Sequence, residues 1–227
     1  MRAFRTRRRA LLALALFAAI ALSVAAALAP SFETRTLPGD PAASQWVQSL
    51  GGGWLEPFMR GASRIGGTVP MLLLLTAAVM VLVGRSYRVH ALAVPITASG
   101  VVLISILKEL IDRPRPTPEM VTVLSNVGGH SFPSGHAFMA ITMFGVLFYL
   151  AGQICGPRRW PVLLLRSMLA LAILAIGASR VYLGVHWTSD VVGGYLLGGL
   201  TLFATIQLFE ALARSLPTRP SGAPAVS

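Results

Sequence analysis

The sequence predicts an all-α fold, an integral membrane bundle of six helices that forms a single domain over residues 1–227. Hydrophobic residues make up 55% of the chain and charged residues only 12%, which is unusual for a soluble protein of this length. Several apolar runs approach the roughly 20 residues that a helix needs to cross a bilayer. Most arginines lie before the first run or in the connections between runs, as is typical of membrane proteins.

Six apolar runs are predicted to cross the membrane, and the second and fourth are short for this purpose. They lie near residues 10–29, 69–84, 89–108, 137–153, 161–178 and 191–212. The sequence contains no internal repeat and no boundary that indicates a second domain.

The first run also has features of a secretory signal, because an arginine-rich start precedes it and Ala27-Leu28-Ala29 closes it. Its apolar stretch of about 20 residues is longer than the roughly 7–15 residues of a usual signal core. We therefore interpret it as an uncleaved first helix. Either interpretation leaves residue 31 outside the cytoplasm.

The segment 31–68 separates the first two runs and contains proline, glycine and scattered charges. It is predicted to be an exposed loop with one or two interfacial helices, which Trp46 and Trp54 anchor at the level of the lipid headgroups. The tail after Leu216 is rich in proline, serine and alanine and is predicted to be disordered.

The net charge of the chain is +11, and its basic residues are distributed in the positive-inside pattern of a membrane protein. They do not form a soluble basic module, so no nucleic-acid partner is expected. With the N-terminus inside, the cytoplasmic parts hold twelve arginines, and the outer parts hold seven arginines or lysines. This bias predicts that the loops at 108–136 and 179–190 both face the outside. The sequence does not specify an oligomeric state.

No metal or other cofactor is predicted. Cys155 is the only cysteine, so neither an intramolecular disulfide nor a cysteine-based metal cluster can form. The acidic residues form no cluster along the sequence of the kind that binds divalent cations.

The first of three polar motifs is Lys108-x6-Arg115-Pro116, which begins with the only lysine of the chain. Pro114 and Pro116 prevent a simple continuation of the preceding helix and push the arginines before them towards extended conformations. Lys108 and Arg115 are therefore expected to converge on an anion. Both also fit a simpler interpretation as positive residues that snorkel at a membrane boundary.

The second motif, Pro133-Ser134-Gly135-His136, immediately precedes the fourth apolar run. Ser134 is expected to cap this helix, and Gly135 permits a close approach of the backbone. Free N–H groups at the helix start would bind an anion, and His136 would donate a proton. An ordinary helix start with an interfacial histidine is the alternative. The nearby His130 is predicted to be a loop residue.

The third motif is Ser179-Arg180-x5-His186-x3-Asp190, with Thr188 or Ser189 as the expected cap of the sixth helix. If the turn that contains His186 is helical, Asp190 lies on the same face at i+4. A carboxylate beside an imidazole fixes its tautomer and stabilises its cation, as in hydrolytic triads. Ionisable groups at such depth in a membrane protein are costly and indicate function. The alternative is that Asp190 only caps the helix.

Together, the motifs resemble those of the type 2 phosphatidic acid phosphatase superfamily, which includes bacterial lipid phosphate phosphatases and isoprenoid diphosphate phosphatases. Sixteen residues separate Pro116 from Pro133, and forty-two separate His136 from Ser179, spacings that are similar to those of the family. The resemblance covers every fixed motif position, and the predicted helices extend it over most of the chain.

The resemblance implies a role for each motif residue. His186 would attack phosphorus to form a phosphohistidine, Asp190 would orient it, and His136 would protonate the leaving group. The phosphate would be held by cationic side chains and by the start of a helix, namely by Lys108, Arg115, Arg180, Ser134 and Gly135. Three cations can offset the charge of a phosphate without a metal, since phosphoryl transfer needs mainly positioning and charge neutralisation.

The resemblance also implies a function, the hydrolysis of a lipid phosphate or diphosphate at the outer surface of a bacterial plasma membrane. Undecaprenyl diphosphate is the favoured substrate, with phosphatidic acid and phosphatidylglycerol phosphate as further candidates. Two other functions fit the same motifs. One is a lipid phosphotransferase that uses another acceptor instead of water, and the other is a non-enzymatic binder or transporter of anionic lipids.

Overall fold

The computed structural model describes residues 36–156 and 159–215. In these two ranges all regular structure is helical, with nine helical segments and no β-strand. The segments are α1 (Asp40–Ser49), α2 (Leu55–Ile65), α3 (Thr68–Gly84), α4 (Arg88–Ala91), α5 (Ala93–Ala98), α6 (Gly100–Ile111), α7 (Gly135–Cys155), α8 (Trp160–Tyr182) and α9 (Thr188–Ser215). The predicted first helix at 10–29 and the predicted disordered tail after Leu216 lie outside the described residues.

Four stretches of the described chain are long and apolar enough to cross a membrane, namely Arg88–Ile111, Gly135–Cys155, Trp160–Tyr182 and Thr188–Arg214. A fifth crossing exists only if α2 and α3, which meet at a bend of 56°, form one broken span. Helix α3 alone has 17 residues and is about 25 Å long, short of a hydrocarbon core of roughly 30 Å. An all-helical membrane protein is therefore confirmed, whereas a count of six spans is not.

The predicted helix at 89–108 is divided into α4, α5 and α6, with breaks at Leu92 and Ser99. Pro95 explains the first break, because it has no N–H to donate to Ala91 and its ring crowds the carbonyl four residues earlier. Helix α4 ends at Ala91. The three short helices still follow one another as a single candidate span of 24 residues.

Helix α7 is the centre of the bundle and packs against both α8 and α9. Its large side chains Phe138, Met143 and Val146 are completely buried. The outer helices instead expose apolar side chains, such as Leu73 of α3 and Leu171 of α8, which are 67% and 65% exposed. An exposed apolar surface of this extent suits contact with lipid. The buried helix α7, in contrast, carries the second motif at its start.

Helix α9 approaches α7 closely at two glycines, Gly194 and Gly198. A Cβ atom at Gly194 would lie 2.6 Å from the carbonyl oxygen of Ser134. A Cβ atom at Gly198 would lie 3.0 Å from the carbonyl oxygen of Phe138. Since backbone atoms cannot move aside as a flexible side chain can, the two glycines set the distance between the second and third motifs.

The segment before α3 forms the two helices α1 and α2, as predicted, but it is not simply an exposed loop. Gln48 of α1 donates hydrogen bonds to the carbonyls of Thr122 (2.6 Å) and Tyr182 (3.0 Å), and its side-chain oxygen accepts one from the Thr122 N–H (3.1 Å). Arg60 of α2 donates to the carbonyl of Leu124 at 3.0 Å. Both helices therefore cover the motif loops, while Trp46 and Trp54 remain exposed.

Candidate functional site

The three motifs meet at one end of the bundle, where α6 and α8 end and where α7 and α9 begin. The backbone N–H of Ser134, just before α7, donates to the carbonyl of Asp190 in α9 at 3.0 Å. The N–H of Leu124 donates to the carbonyl of Leu183, also at 3.0 Å, and joins the loop after α6 to the turn after α8. Segments far apart in the sequence therefore form one polar site.

His186 lies at the centre of this site, in the turn between α8 and α9, and its side chain is only 3% exposed. The turn depends on Gly184, whose φ is +67°. A Cβ atom at this position would lie only 2.2 Å from the carbonyl oxygen of Thr122, so a larger residue would not fit. His186 precedes α9, so the helical i+4 spacing assumed from the sequence does not apply. The turn nevertheless brings His186 Nδ1 to 3.4 Å from Asp190 Oδ2.

The contacts of the imidazole define its tautomer. The guanidinium of Arg115, which can only donate, places Nη1 at 3.2 Å from His186 Nε2. Nε2 therefore accepts and carries the lone pair, and the ring proton is on Nδ1, which faces Asp190. This tautomer places the lone pair on Nε2, the nitrogen that can act as a nucleophile when Arg115 donates to a bound anion instead.

Burial keeps this imidazole neutral. Desolvation lowers the pKa of His186 to about 4, and the positive charges of Arg115 and Arg180 act in the same direction. The hydrogen bond and the negative charge of Asp190 oppose this shift without cancelling it. A pKa well below 7 means that the His186 imidazole is unprotonated at neutral pH.

Asp190 is completely buried and makes both of the contacts that the sequence pattern offers as alternatives. Its Oδ2 accepts the N–H of Trp187 at 2.8 Å, which caps the start of α9. The same oxygen accepts a short hydrogen bond from the Ser131 hydroxyl and faces His186. Asp190 is thus both a helix cap and the partner of the imidazole.

The expected cap residues Thr188 and Ser189 do not cap α9. Thr188 Oγ1 is buried without a hydrogen-bond partner among the described residues. The Ser189 hydroxyl points to Asp40 instead, with a donor–acceptor distance of 2.6 Å. The side chain of Asp190 binds the backbone N–H of Trp187, so neither hydroxyl is the cap of this helix.

Two of the three predicted cations are held by backbone carbonyls of the loop before α7. Lys108 Nζ donates to the carbonyl of His130 at 2.8 Å. Arg115 donates from Nη2 to the same carbonyl at 3.3 Å and from Nε to that of Gly129 at 2.9 Å. Its Nη1 also donates to the carbonyl of Val185 at 2.6 Å. Both cations therefore converge on one loop beside His186.

The third cation, Arg180, comes from the last turn of α8 and is 3% exposed. Its Nη1 makes a short hydrogen bond to the hydroxyl of Ser63 in α2, and its Nε has no hydrogen-bond partner among the described residues. The carbonyl of Arg180 accepts the N–H groups of Val185 and His186 at 3.2 Å each. Arg180 therefore both supports the turn that carries His186 and keeps donor capacity for an anion.

The second motif forms the start of α7 as expected. The Ser134 hydroxyl accepts the N–H of Ala137 at 3.5 Å, a long N-cap contact, and the helix begins at Gly135. His136 is partly buried in the first turn. Its ring interacts electrostatically with the basic side chains of the other two motifs, Lys108, Arg115, Arg180 and His186. The structure thus brings all eight predicted site residues to one place.

Sequence reasoning missed four residues of this site: Asp40, Arg113, Ser131 and Ser189. Arg113 was noted only for its position before a proline, and Asp40 lies 73 residues before it. Ser131, three residues before Ser134, could have been noticed as a hydroxyl next to the second motif. No signal in a single sequence indicates that Asp40 belongs to the site.

His130 has more contacts than a simple loop residue. Its Nδ1 lies 2.6 Å from Asp112, and its Nε2 lies 3.4 Å from Glu109. Both carboxylates are more than three-quarters exposed, so this group lies at the surface. Its carbonyl, which accepts from Lys108 and Arg115, is the part of His130 that belongs to the site.

The arrangement is suited to binding and attacking a phosphate. It contains a neutral buried imidazole whose Nε2 lone pair faces Arg115, a carboxylate on its other nitrogen, and further cationic side chains nearby. A second histidine lies at the start of a helix, where the backbone N–H groups and the helix dipole favour an anion.

Comparison with known proteins agrees with this chemistry. The PAP2 superfamily model matches residues 89–214, more than half of the chain. Phosphatidylglycerophosphatase B of Bacillus subtilis is 29% identical over 163 residues, which cover 69% of this chain and 76% of that protein. An undecaprenyl-diphosphatase of Sulfolobus acidocaldarius is 35% identical over 80 residues, which cover 35% of this chain and 34% of that protein.

A solved structure extends the similarity to most of the chain. The crystal structure of a transmembrane PAP2-type phosphatidylglycerolphosphate phosphatase from Bacillus subtilis superposes with a TM-score of 0.70 at 25% identity. The superposition covers 89% of this chain and 98% of that one.

Proposed function

This chain belongs to the PAP2 superfamily, and from that premise we propose that it is a lipid phosphatase that hydrolyses a membrane lipid phosphomonoester or diphosphate through a phosphohistidine. The observation that carries the proposal is the state of His186, which is buried and neutral, with Nδ1 towards Asp190 and its lone pair towards Arg115. The whole chain, residues 1–227, acts as one domain in this proposal.

In the first step, His186 Nε2 attacks phosphorus, and the bond between phosphorus and the oxygen of the leaving group breaks. His136 enters this step as an imidazolium and gives one proton to that oxygen, so the lipid alcohol, or the protonated lipid phosphate of a diphosphate, departs and His136 becomes a neutral imidazole. The imidazole becomes positively charged as the P–N bond forms. Asp190 stabilises this charge through Nδ1–H.

In the second step, water attacks the phosphohistidine and gives a proton to His136, which the first step left unprotonated. The P–N bond breaks, inorganic phosphate leaves, and both histidines return to their starting states. Lys108, Arg115 and Arg180 offset the charge on the phosphate oxygens in both steps, together with Ser134 and the backbone at Gly135. Because these groups come from the chain itself, the reaction is proposed to need no metal.

Two lipids are the leading substrate candidates. Undecaprenyl diphosphate is the first, because the chain resembles the compact bacterial members that act on isoprenoid diphosphates. Phosphatidylglycerol phosphate is the second, and it is favoured by the Bacillus subtilis relative that matches 69% of this chain. Both carry a terminal phosphate at the membrane surface, where the three motifs meet.

The test is a panel of undecaprenyl diphosphate, phosphatidylglycerol phosphate and phosphatidic acid, assayed for phosphate release with the detergent-purified protein. We expect release from at least one lipid, undiminished in excess chelator and inhibited by vanadate, which occupies phosphate sites. Loss of activity in chelator and recovery with a divalent cation would contradict the metal-independent mechanism.

The same panel separates the alternatives. A phosphotransferase would transfer label from the lipid to an added alcohol or sugar acceptor and would release little inorganic phosphate in its absence. A binder or transporter would show neither release nor transfer from any lipid, and that result would overturn the proposed function.

We also propose that the site faces the outside of a bacterial plasma membrane, as the positive-inside bias indicates. Asn126 is exposed near the site, and Cys155 is exposed at the other end of α7. Asn126→Cys in a Cys155→Ser background should therefore react with a membrane-impermeant thiol reagent on intact cells. Native Cys155 should react only after the membrane is opened. The reverse labelling pattern would place the chemistry in the cytoplasm.

A further inference from the structure

Behind the proposed nucleophile lies a buried arginine, Arg113, which occupies a variable position of the first motif. Arg113 is completely buried and bridges two buried carboxylates. Its Nη1 lies 2.5 Å from Asp190 Oδ1, and its Nη2 lies 2.6 Å from Asp40 Oδ2. The two nitrogens of one planar guanidinium therefore join the first residue of α1 to the start of α9.

Ser189 closes this arrangement into a ring. Its hydroxyl donates to Asp40 Oδ2 at 2.6 Å and accepts from Arg113 Nη1 at 2.8 Å. Its backbone N–H donates to Asp40 Oδ1 at 2.9 Å. Asp40 also accepts the N–H of Leu37 at 3.2 Å, which fixes its side chain at the start of α1. Both oxygens of Asp40 are thus held in place.

The charges explain why this ring acts on Asp190. Removing charged groups from water costs several kcal/mol per ion, so each charge needs a well-placed partner. Arg113 compensates Asp190 through Oδ1 and leaves Oδ2 to Ser131, Trp187 and His186. Arg113 is shared between Asp190 and Asp40, so its single positive charge does not compensate Asp190 alone.

A guanidinium suits this task better than an ammonium does. Its donors form a rigid planar fork, and the fork fixes the relative positions of the groups that it binds. The rotation of the Asp190 carboxylate is therefore set from one side by Arg113 and from the other by the N–H of Trp187. This orientation determines the 3.4 Å contact between Asp190 and His186.

We infer that Asp40 and Arg113 are positioning residues of the reaction, which act on the nucleophile His186 through the Asp190 carboxylate. The inference rests on the proposed function, because it assigns these residues to the same phosphoryl transfer. It extends the site to α1, a helix outside all three motifs. Neither residue lies where phosphate is proposed to bind.

The test compares Asp40→Asn with Ser44→Ala in the purified full-length protein. Asparagine keeps the volume of Asp40 and loses its charge. Ser44 lies one turn further along α1, is equally buried, and has a hydroxyl without a hydrogen-bond partner among the described residues. We expect Asp40→Asn to lower kcat about tenfold, a size typical of coupling between residues in contact, while KM and vanadate inhibition change less than about threefold. Ser44→Ala should match the wild type.

Arg113→Lys is the second variant, because it keeps the charge and removes the fork. We expect its kcat to fall at least as far as that of Asp40→Asn, again with vanadate inhibition retained. A kcat within twofold of wild type in both variants would overturn the inference. It would also be overturned if kcat, vanadate inhibition and melting temperature fell together in Asp40→Asn, because the role would then be structural.

The two proposals fail in different ways. If the wild-type protein releases no phosphate from any lipid of the panel, the proposed function fails, and the positioning inference fails with it. If the wild type and Ser44→Ala are active and both Asp40→Asn and Arg113→Lys retain normal turnover, only the positioning inference fails.

Discussion

Replacing His186 with alanine should abolish phosphate release while the protein still inserts and folds. In the proposed mechanism the imidazole supplies the atom that bonds to phosphorus, and no other described histidine has a buried carboxylate on one nitrogen and an arginine on the other. Loss of a nucleophile costs several orders of magnitude, as removal of comparable catalytic residues does. We expect a rate below about a thousandth of wild type, measured as phosphate release from the preferred lipid.

The control is His90→Gln. His90 lies at the opposite end of the bundle, where its ring packs against Tyr87 and Phe209. This variant should keep its rate within about threefold, and it should form the acid-labile phosphoenzyme that His186→Ala lacks. If His186→Ala retains more than about a tenth of the wild-type rate, His186 is not the nucleophile.

The second large effect is expected for Asp190→Asn, which should lower kcat about 100- to 10,000-fold. Asparagine keeps the volume of the carboxylate but cannot stabilise a positively charged imidazole. It also favours the wrong tautomer, the effect that makes the analogous change in hydrolytic triads so costly. Since Asp190 does not contact the phosphate in the proposed mechanism, vanadate should still inhibit the residual activity at a similar concentration.

Two further variants serve as a control and a contrast for Asp190→Asn. Asp112→Asn makes the same substitution at a carboxylate that is 79% exposed and pairs with His130, so it should leave turnover unchanged. Arg180→Ala removes a cation of the proposed phosphate site and should weaken vanadate inhibition together with turnover. If Asp190→Asn keeps nearly normal turnover, the only role of Asp190 is to cap α9 by accepting the Trp187 N–H.

Much of the fold was predictable because its signals are local. A run of apolar residues is sufficient to indicate a membrane helix, and α7, α8 and α9 lie where such runs were predicted. The ends were less certain, since α7 begins two residues before the predicted start and therefore includes His136 in its first turn. The break at Leu92 depends on Pro95, whose effect on a helix is also local.

The sequence by itself determined the chemical identity of the candidate site, because lysine, arginine, histidine and aspartate occur at a characteristic spacing beside apolar runs. Only the tertiary structure decided how these groups are held. Asp40 meets Arg113 across 73 residues, and Ser63 meets Arg180 across 117. The tautomer of His186 follows from Arg115, 71 residues away. Contacts between such distant residues form only when the helices pack against one another. Packing depends on the shape of a whole helix face, as where the glycines of α9 allow its close approach to α7.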